Sequence, residues 1–396
     1  MVEYRRIPED RAAEFREMLR YAFSPEEGPG GDGDEDASEF VRRGLFERDA
    51  LRCACKHRSF RMRVRGEFRD VAGLSGVATP PEHRRQGLVR RLLGESLREY
   101  RERGDLLAAL WPFDRGFYGQ YGWATATKYA TYEMPPGSLS FAADAAGGEH
   151  RPLDPDDWAA ADRTYDAHAE GFALAMDRTE TWWRERVFDS SWGDRPYVYG
   201  WDRDGQLAGY LVYRVNAGGD GKVLEVREFA HADREARLNL LRFLYNHDSQ
   251  VETVKLPQPE TSGLLDAVDD PSAVDCDLSL GPMVRVVDVA ETLSALSYPA
   301  DGHLTLAVSD PLVDRNDGAF ELTVEGGATT CRRADDATDA PPDVELGVGA
   351  LSQLVVGYRS AESLSAAGEL DAATADAGET LAALFPESDP FLREFF

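Results

Sequence analysis

A short loop rich in arginine lies between a predicted buried strand and a predicted amphipathic helix. The strand is the apolar run 71–78, and the loop contains Arg84-Arg85-Gln86-Gly87. The first turn of a helix leaves backbone N–H groups unpaired and carries the positive end of the helix dipole. Gly87 lets the backbone approach a ligand closely, and the two arginines add positive charge. The loop therefore predicts a diphosphate site, with a basic, solvated helix start as the alternative.

A tyrosine flanked by glycines follows the next apolar run. Residues 106–111 are predicted to form a strand beside the loop, and the turn Gly116-Phe117-Tyr118-Gly119 comes shortly after it. Packing alone explains this arrangement poorly. Tyr118 is therefore a candidate functional residue, and a core aromatic side chain in a tight turn is the alternative.

The two motifs together resemble the GNAT superfamily of N-acetyltransferases. The loop is similar to their Arg/Gln-x-x-Gly-x-Gly/Ala motif, except that Val89 stands where a small residue is preferred. The turn 116–123 and the last residues, 392–396, resemble the enhanced intracellular survival (Eis) family. This resemblance covers nearly the whole chain and implies an α+β protein. It implies tandem GNAT folds, each a mixed β-sheet flanked by helices, and a C-terminal domain like a sterol carrier protein.

The resemblance also implies a reaction and the residues that perform it. Acetyl-CoA is the implied co-substrate, and its acetyl group passes to a primary amine by direct attack. Tyr118 is the implied general acid, since a phenol of reference pKa about 10 is protonated at neutral pH. The α-carboxylate of Phe396 is the implied general base, and a frayed terminus is the alternative. The implied cofactor-binding residues are Val77, Thr79, Arg84, Arg85, Gly87 and Leu88.

Three domains are predicted along the chain. Residues 1–135 are the catalytic GNAT domain, 136–284 a second GNAT-like domain, and 285–396 the sterol-carrier-like domain that supplies the terminal carboxylate. In the second domain the corresponding loop, 231–234, has no glycine and places its one arginine beside an acid. We therefore expect the second domain to bind no cofactor.

Shorter patterns predict the elements around these motifs. Apolar side chains at helical spacing predict helices over 9–23 and 88–97. Strict alternation over 59–65, followed by Arg65-Gly66, predicts a β-hairpin. A helix is expected to open the third domain at residues 285–293.

The charge balance limits the partners of the protein. The 396 residues include 72 Asp and Glu against 44 Lys and Arg, a formal net charge of −28. Such a surface argues against binding to nucleic acid or to an anionic membrane, because both need a basic field. It favours a salt-loving source, such as a haloarchaeon. A merely acidic cytoplasmic protein is the alternative. The expected acceptor is a small cationic amine or a lysine side chain, which an acidic pocket would concentrate.

Other composition data favour a soluble cytoplasmic protein. No run approaches the roughly 20 apolar residues of a membrane span. The four cysteines are scattered, and the seven histidines show no metal-binding spacing, so we expect no metal site. Family resemblance implies a homo-oligomer, a hexamer. Two other functions stay open, a non-catalytic acyl-CoA-binding sensor and a lipid carrier that uses the last domain.

Overall fold

The computed structural model describes residues 2–28, 40–189, 195–219, 221–334 and 341–396. No helix in these ranges is long and apolar enough to cross a bilayer. The first part of the chain forms strands β1 to β6 and helices α1 to α3. The strands are β1 (Val2–Arg6), β2 (Val41–Glu47), β3 (Ala50–Val64), β4 (Glu67–Ala78), β5 (Leu107–Leu110) and β6 (Ala124–Thr125). The helices are α1 (Ala12–Phe23), α2 (Leu88–Arg103) and α3 (Arg115–Gly119).

The predicted elements of this part are present. The hairpin of β3 and β4 turns at Arg65 and Gly66, whose φ angles of +50° and +83° suit a two-residue hairpin loop. Helix α2 buries Leu92, Leu93 and Leu97 against the sheet, which explains its apolar spacing. The predicted helix 9–23 begins with a 3₁₀ turn before α1.

The middle of the chain forms strands β7 to β14 and helices α4 to α7. The strands are β7 (Lys128–Met134), β8 (Glu149–Pro152), β9 (Phe172–Ala173), β10 (Tyr197–Arg203), β11 (Gln206–Gly218), β12 (Gly221–His231), β13 (Thr253–Pro259) and β14 (Asp275–Leu280). The helices are α4 (Trp158–Ala169), α5 (Glu180–Trp182), which continues as a π-helix over Trp183–Phe188, α6 (Arg234–Tyr245) and α7 (Leu264–Ala267). One face of this sheet packs on α6, and α4 covers part of the other.

The last part contains strands β15 to β21 and helices α8 to α11. The strands are β15 (Met283–Val286), β16 (Gly302–Ser309), β17 (Gly318–Glu325), β18 (Ala328–Arg333), β19 (Val344–Gly347), β20 (Leu370–Ala372) and β21 (Asp389–Pro390). The helices are α8 (Val289–Ala295), α9 (Val348–Val355), α10 (Ala361–Ala366) and α11 (Ala375–Leu384). A five-stranded sheet in the order β18-β17-β16-β19-β20 forms the body of this part.

The first two sheets each contain a strand from the other side of a predicted boundary. The first sheet runs β1-β2-β3-β4-β5-β15-β6, and the second runs β14-β7-β13-β12-β11-β10-β8. Strand β7 thus lies in the second sheet, and β15 pairs with both β5 and β6 of the first. The predicted boundaries at residues 135 and 284 do not coincide with the sheets.

The predicted helix over 285–293 is wrong in its first half. All four residues of β15 are buried and pair with β5, and Met283 and Val284 also pair with β6. The N–H of Val286 donates to the hydroxyl of Ser352 at 2.8 Å, so backbone groups on this side are satisfied as well. The helix begins only at Val289, where the side chain of Asp288 accepts a hydrogen bond from the N–H of Glu291 at 2.9 Å. Arg285 therefore belongs to the first sheet and not to a helix.

The chain ends in a tail that returns to the first two sheets. Strand β21 pairs in parallel with β9, and the N–H of Phe391 donates to the carbonyl of Ala173 at 2.9 Å. The rings of Phe391 and Phe172 are 5.3 Å apart. These contacts place the last residues between the first and second sheets.

Candidate active site

A gap opens between the two central strands of the first sheet. Parallel pairing of β4 with β5 covers only Val71–Gly73 and Leu107–Ala109. Gly76 has a φ of +58°, and the register of β4 against β3 shifts nearby. Beyond Gly73, none of the described strands pairs with β4 on its β5 side, and the edge there carries Val77.

The loop after β4 presents an open helix start. Gly87 is the N-cap of α2 in the left-handed conformation, φ +75°, and no side chain in the described part of the chain caps the helix. A Cβ atom added at Gly87 would meet nothing within 4 Å. Arg85 has a φ of +59°, a backbone conformation that a residue with a Cβ atom rarely adopts. The unpaired N–H groups of the first turn of α2 can therefore receive an anionic ligand.

The two loop arginines are exposed, and one of them is anchored. The Nε of Arg84 donates to the carbonyl of Thr79 at 3.0 Å. Within the described ranges, no protein group bonds the terminal nitrogens of Arg84. The hydroxyl of Thr79 donates to the sulfur of Cys53 at 3.1 Å, which fixes the end of β4. This arrangement holds one guanidinium beside the open helix start, where a phosphate can accept two hydrogen bonds from it.

Tyr118 lies in the short helix α3. The side chain of Asp114 caps this helix and accepts a hydrogen bond from the N–H of Phe117 at 2.8 Å. Tyr118 is only 4% exposed, and its ring packs edge-on against Trp123 at 6.3 Å. Burial, and then the neighbouring Cys55 thiol, raises the pKa of Tyr118 well above its ordinary value. The phenol consequently remains protonated over the working range of an enzyme.

A buried ion pair supports the turn that follows Tyr118. Arg285 on β15 is fully buried and forms an ion pair with Asp310, and its second terminal nitrogen donates to the carbonyl of Tyr121. Gly122 has a φ of +88°, and a Cβ atom there would lie 2.0 Å from the Arg285 guanidinium. Arg285 thus holds the turn through the carbonyl of Tyr121, and the missing side chain at Gly122 leaves room for its guanidinium. Asp310 connects Arg285, and with it the turn, to the last part of the chain.

The C-terminal residue is buried beside the first sheet. Phe396 is 4% exposed, and its ring lies 4.6 Å from the ring of Phe60. The indole N–H of Trp111, which directly follows β5, donates to the carbonyl of Glu394 at 2.9 Å. Phe395, by contrast, is 56% exposed. The terminus is fixed and not frayed.

An ionic cluster holds the tail from the other side. The buried carboxylate of Glu394 accepts hydrogen bonds from Tyr165 at 2.8 Å and from Arg178 at 2.7 Å. Arg178 also donates to Glu228 at 2.8 Å. Burial raises the pKa of Glu394, but Arg178 outweighs that effect and holds it below its ordinary value. The cluster therefore ties the tail to the second sheet through charges.

The structure brings most of the predicted site residues together. Val77, Leu88 and Tyr118 pack in one apolar cluster, and Thr79 contacts Arg84. Phe396 packs in a different cluster. Sequence reasoning missed Trp111, Arg285 and Glu394. Arg285 had a visible signal, a single charge within the apolar run Met283-Val284-Arg285-Val286-Val287.

Family comparisons agree with this architecture. Residues 3–126 and 174–286 each match an acetyltransferase (GNAT) domain, and residues 289–393 match a sterol carrier protein domain. The chain is a GNAT-family N-acetyltransferase. It has tandem GNAT folds with mixed sheets flanked by helices and a C-terminal sterol-carrier-like α+β domain, and acetyl-CoA is the co-substrate of GNAT acetyltransferases.

Individual relatives extend over nearly the same length. N-acetyltransferase Eis of Mycobacterium tuberculosis is 27% identical over 354 residues, 85% of this chain and 83% of its own. An uncharacterized N-acetyltransferase of Streptomyces griseus is 26% identical over 414 residues, 97% of both chains. These relatives support an Eis-like GNAT acetyltransferase.

Solved structures share the fold over the whole chain. A GCN5-related N-acetyltransferase from Anabaena variabilis superimposes with a TM-score of 0.84 at 20% identity and covers 100% of both chains. Eis1 from Mycobacterium abscessus gives 0.79 at 24% identity, again over 100% of both.

Proposed function

We propose that this acetyltransferase passes the acetyl group of acetyl-CoA directly to a primary amine in the first GNAT domain. The observation that carries the proposal is the open, uncapped start of α2 beside the gap between β4 and β5. An open helix start accepts the diphosphate, and the unpaired strand edge can hydrogen-bond an extended amide chain. The thioester then lies in the direction of β5 and Tyr118.

Six residues form the proposed cofactor site. Backbone groups of Val77 and Thr79 bind the pantetheine arm. Arg84 and Arg85 neutralise the diphosphate, and the helix start at Gly87 and Leu88 receives it. These residues fit the group, since the helix N-terminus is open and Arg84 is already held in place through its Nε.

Tyr118 is the proposed general acid. The amine nitrogen attacks the thioester carbonyl, a C–N bond forms, and collapse of the tetrahedral species breaks the C–S bond. The departing CoA thiolate takes the phenol proton of Tyr118 and leaves as the thiol. Burial of Tyr118 supports this role, because it keeps the phenol protonated until the thiolate develops.

The α-carboxylate of Phe396 is the proposed general base. It takes the proton that the attacking nitrogen loses, through one water molecule, and this proton passes through solvent to restore Tyr118. The anchoring of the tail by Trp111 and Arg178 supports the role, since a base needs a fixed position. A hexamer remains part of the proposal. The cytoplasmic location and the salt-loving source remain predictions from sequence.

The two other functions, a lipid carrier and a non-catalytic acyl-CoA-binding sensor, have less support. The groove on the sterol-carrier-like domain is lined partly by acids, among them Asp317, Glu345, Glu369 and Asp371. An acidic groove does not favour a lipid tail. A sensor that only binds acyl-CoA has no use for a buried tyrosine beside the cofactor gap.

Release of CoA thiol with a panel of primary amines tests the proposal. Tyr118→Phe should keep acetyl-CoA affinity and lower kcat by roughly 10²-fold or more, the scale of a lost general acid. Extending the chain by two residues after Phe396 converts the carboxylate to an amide and should abolish transfer, while calorimetry still detects acetyl-CoA binding. Replacing Phe395 by Tyr, with the chain end unchanged, is the matched control. Full activity of the extended chain would contradict the role of Phe396.

A further inference from the structure

A cleft of ≈ 560 Å³ lies on the open face of the second sheet, beside the tail. Its walls include Lys255 from β13, Trp182 from α5 and Phe395 from the tail. The cleft reaches the aromatic residues around the C-terminus. The ring of Trp182 is 6.1 Å from that of Phe60, which contacts Phe396.

The charge of this cleft is opposite to that of the protein. Its lining contains more basic than acidic side chains, although the chain as a whole carries −28. The basic residues are Arg178, Arg186, Arg227, Lys255 and Arg393, and the acidic ones are Glu225, Glu228 and Glu394. The expectation of an acidic pocket that concentrates a cationic amine is therefore not met at this cleft.

Two of the three acids of the lining share one arginine inside the wall. Arg178, which is buried, lies 2.8 Å from Glu228 and 2.7 Å from Glu394. Lys255 forms an ion pair with Glu133 at 2.5 Å, and the five basic side chains of the lining still outnumber its three acids and Glu133 together. A low-dielectric wall strengthens the field of charges that line it, so an anion entering the cleft gains more than it would at the outer surface.

Arg393 is the cation of this cleft's lining that lies nearest to the C-terminus in the sequence. It lies on the tail three residues before the C-terminus, and its Nη1 donates to the carbonyl of Arg227 at 3.0 Å. Its guanidinium lies 4.9 Å from the centroid of the Tyr129 ring. No carboxylate of the described residues is within ion-pair distance of it. Burial lowers the pKa of Arg393, yet a guanidinium stays protonated in proteins, so its other N–H groups can bind an anion.

We propose that the acceptor is a small primary amine that also carries an anionic group, a carboxylate or a phosphate. Arg393 binds this group in the cleft, while the amine lies toward the carboxylate of Phe396. Three residues of extended chain span at most about 10 Å, so Arg393 and Phe396 can bind opposite ends of one small molecule. This assignment rests on the proposed function, since it names the substrate class of the same site.

Matched amines with and without the anion test the assignment. The pairs are 4-aminobutyrate with n-butylamine, and 2-aminoethyl phosphate with ethanolamine, and spermidine is a polycation for comparison. We expect kcat/KM at least 10-fold higher for the anionic member of one pair. Arg393→Gln should raise the KM for that substrate at least 10-fold, leave the KM for the matched amine without the anion unchanged, and keep the KM for acetyl-CoA. Arg393→Lys should keep part of the preference. The matched control is Arg98→Gln on α2, far along the chain from the cleft.

Each outcome decides for or against the subsite. A preference within the first pair only identifies a carboxylate, and within the second only a phosphate. Equal rates within both pairs, a preference for spermidine, or an Arg393→Gln variant with an unchanged preference overturns the assignment. If no amine is acetylated, the proposed function fails, and calorimetry with 4-aminobutyrate still decides. Binding that Arg393→Gln weakens and Arg98→Gln does not supports the subsite, and no binding to the wild-type protein refutes it.

Discussion

The two GNAT domains share a strand–loop–helix unit, yet their helices begin differently. Helix α2 starts at Gly87 with no side-chain cap. Helix α6 starts at Asp233, whose carboxylate accepts a hydrogen bond from the N–H of Ala236 at 3.0 Å. A carboxylate at the N-terminus satisfies the helix dipole and repels a phosphate. The N-cap residue, Gly87 in α2 and Asp233 in α6, therefore determines whether the helix start can receive an anion.

The gap between central strands is also used differently in the two domains. Pairing of β12 with β13 covers only Val223–Glu225 and Thr253–Lys255, as short as the pairing of β4 with β5. In the second domain the tail lines this gap, and Arg393 bonds the carbonyl of Arg227 on β12. A cavity of only ≈ 50 Å³ remains there. The same opening of a sheet thus receives a cofactor in our proposal for the first domain, and a protein segment in the second.

Removing the positive charges of the first loop should have the largest effect. Each lost charge-assisted hydrogen bond costs about 1.5–3 kcal/mol, so Arg84→Ala with Arg85→Ala should weaken acetyl-CoA binding by roughly 10²- to 10⁴-fold. Isothermal calorimetry measures this. Arg234→Ala at the start of α6 is the matched control and should leave affinity and a stoichiometry of one per chain unchanged. Unchanged affinity in the double variant would place the diphosphate elsewhere.

Breaking the ionic cluster of Glu394, Arg178 and Glu228 should have the next largest effect. Glu394→Gln removes a charge that faces buried Arg178 and should lower the free energy of unfolding by about 3 kcal/mol at pH 7. Chemical denaturation measures this, with the exposed Glu362→Gln as control. A change no larger than that of the control would show that the tail is held by apolar packing.

The pH dependence of the same variant gives a second measurement. Because the pKa of Glu394 is below its ordinary value in the folded protein, its stabilising effect is present above the unfolded pKa of about 4.3. It is lost as the pH falls through the folded pKa. The difference in stability between wild type and Glu394→Gln should therefore be constant from pH 6 to 8 and shrink below about pH 4.5. A difference that grows on acidification would contradict this sign.

The smallest effect on stability is expected at the capped start of α6. Asp233→Ala removes the N-cap of α6 and should lower the free energy of unfolding by about 1 kcal/mol. Asp233→Asn can still cap the helix and should cost less. Differential scanning calorimetry of the two variants tests the comparison. Equal costs would indicate that the ion pair of Asp233 with Arg203 matters more than the cap.

The local units of the fold could be predicted from the sequence, because their causes are local. Apolar spacing predicted α2, and the motif Arg65-Gly66 predicted the hairpin. The strand β15 could not be assigned in this way, since its partners β5 and β6 lie more than 150 residues earlier in the chain. The sequence 283–286 carries no periodicity that separates a buried strand from a helix.

The residues of the candidate site also fall into those that local sequence predicts and those that depend on remote contacts. Loop and turn motifs located Arg84, Gly87 and Tyr118, because backbone conformation there depends on adjacent residues. The burial of Glu394 depends on Arg178 and Tyr165, which are remote in sequence, and no local pattern marks it. Charged residues near a chain end usually remain in solvent, so only the folded protein shows that this one is buried.

The position of β7 in the second sheet and of β15 in the first affects how the protein folds while it is synthesised. When residues 1–126 have left the ribosome, β15 has not yet been synthesised. The edge of β5 therefore stays unpaired while about 150 further residues are added. An unpaired strand edge is a template for association with other chains. The first sheet is complete only when nearly three quarters of the protein have been synthesised, and proteolytic excision of residues 1–126 removes the strand β15 that lies between β5 and β6.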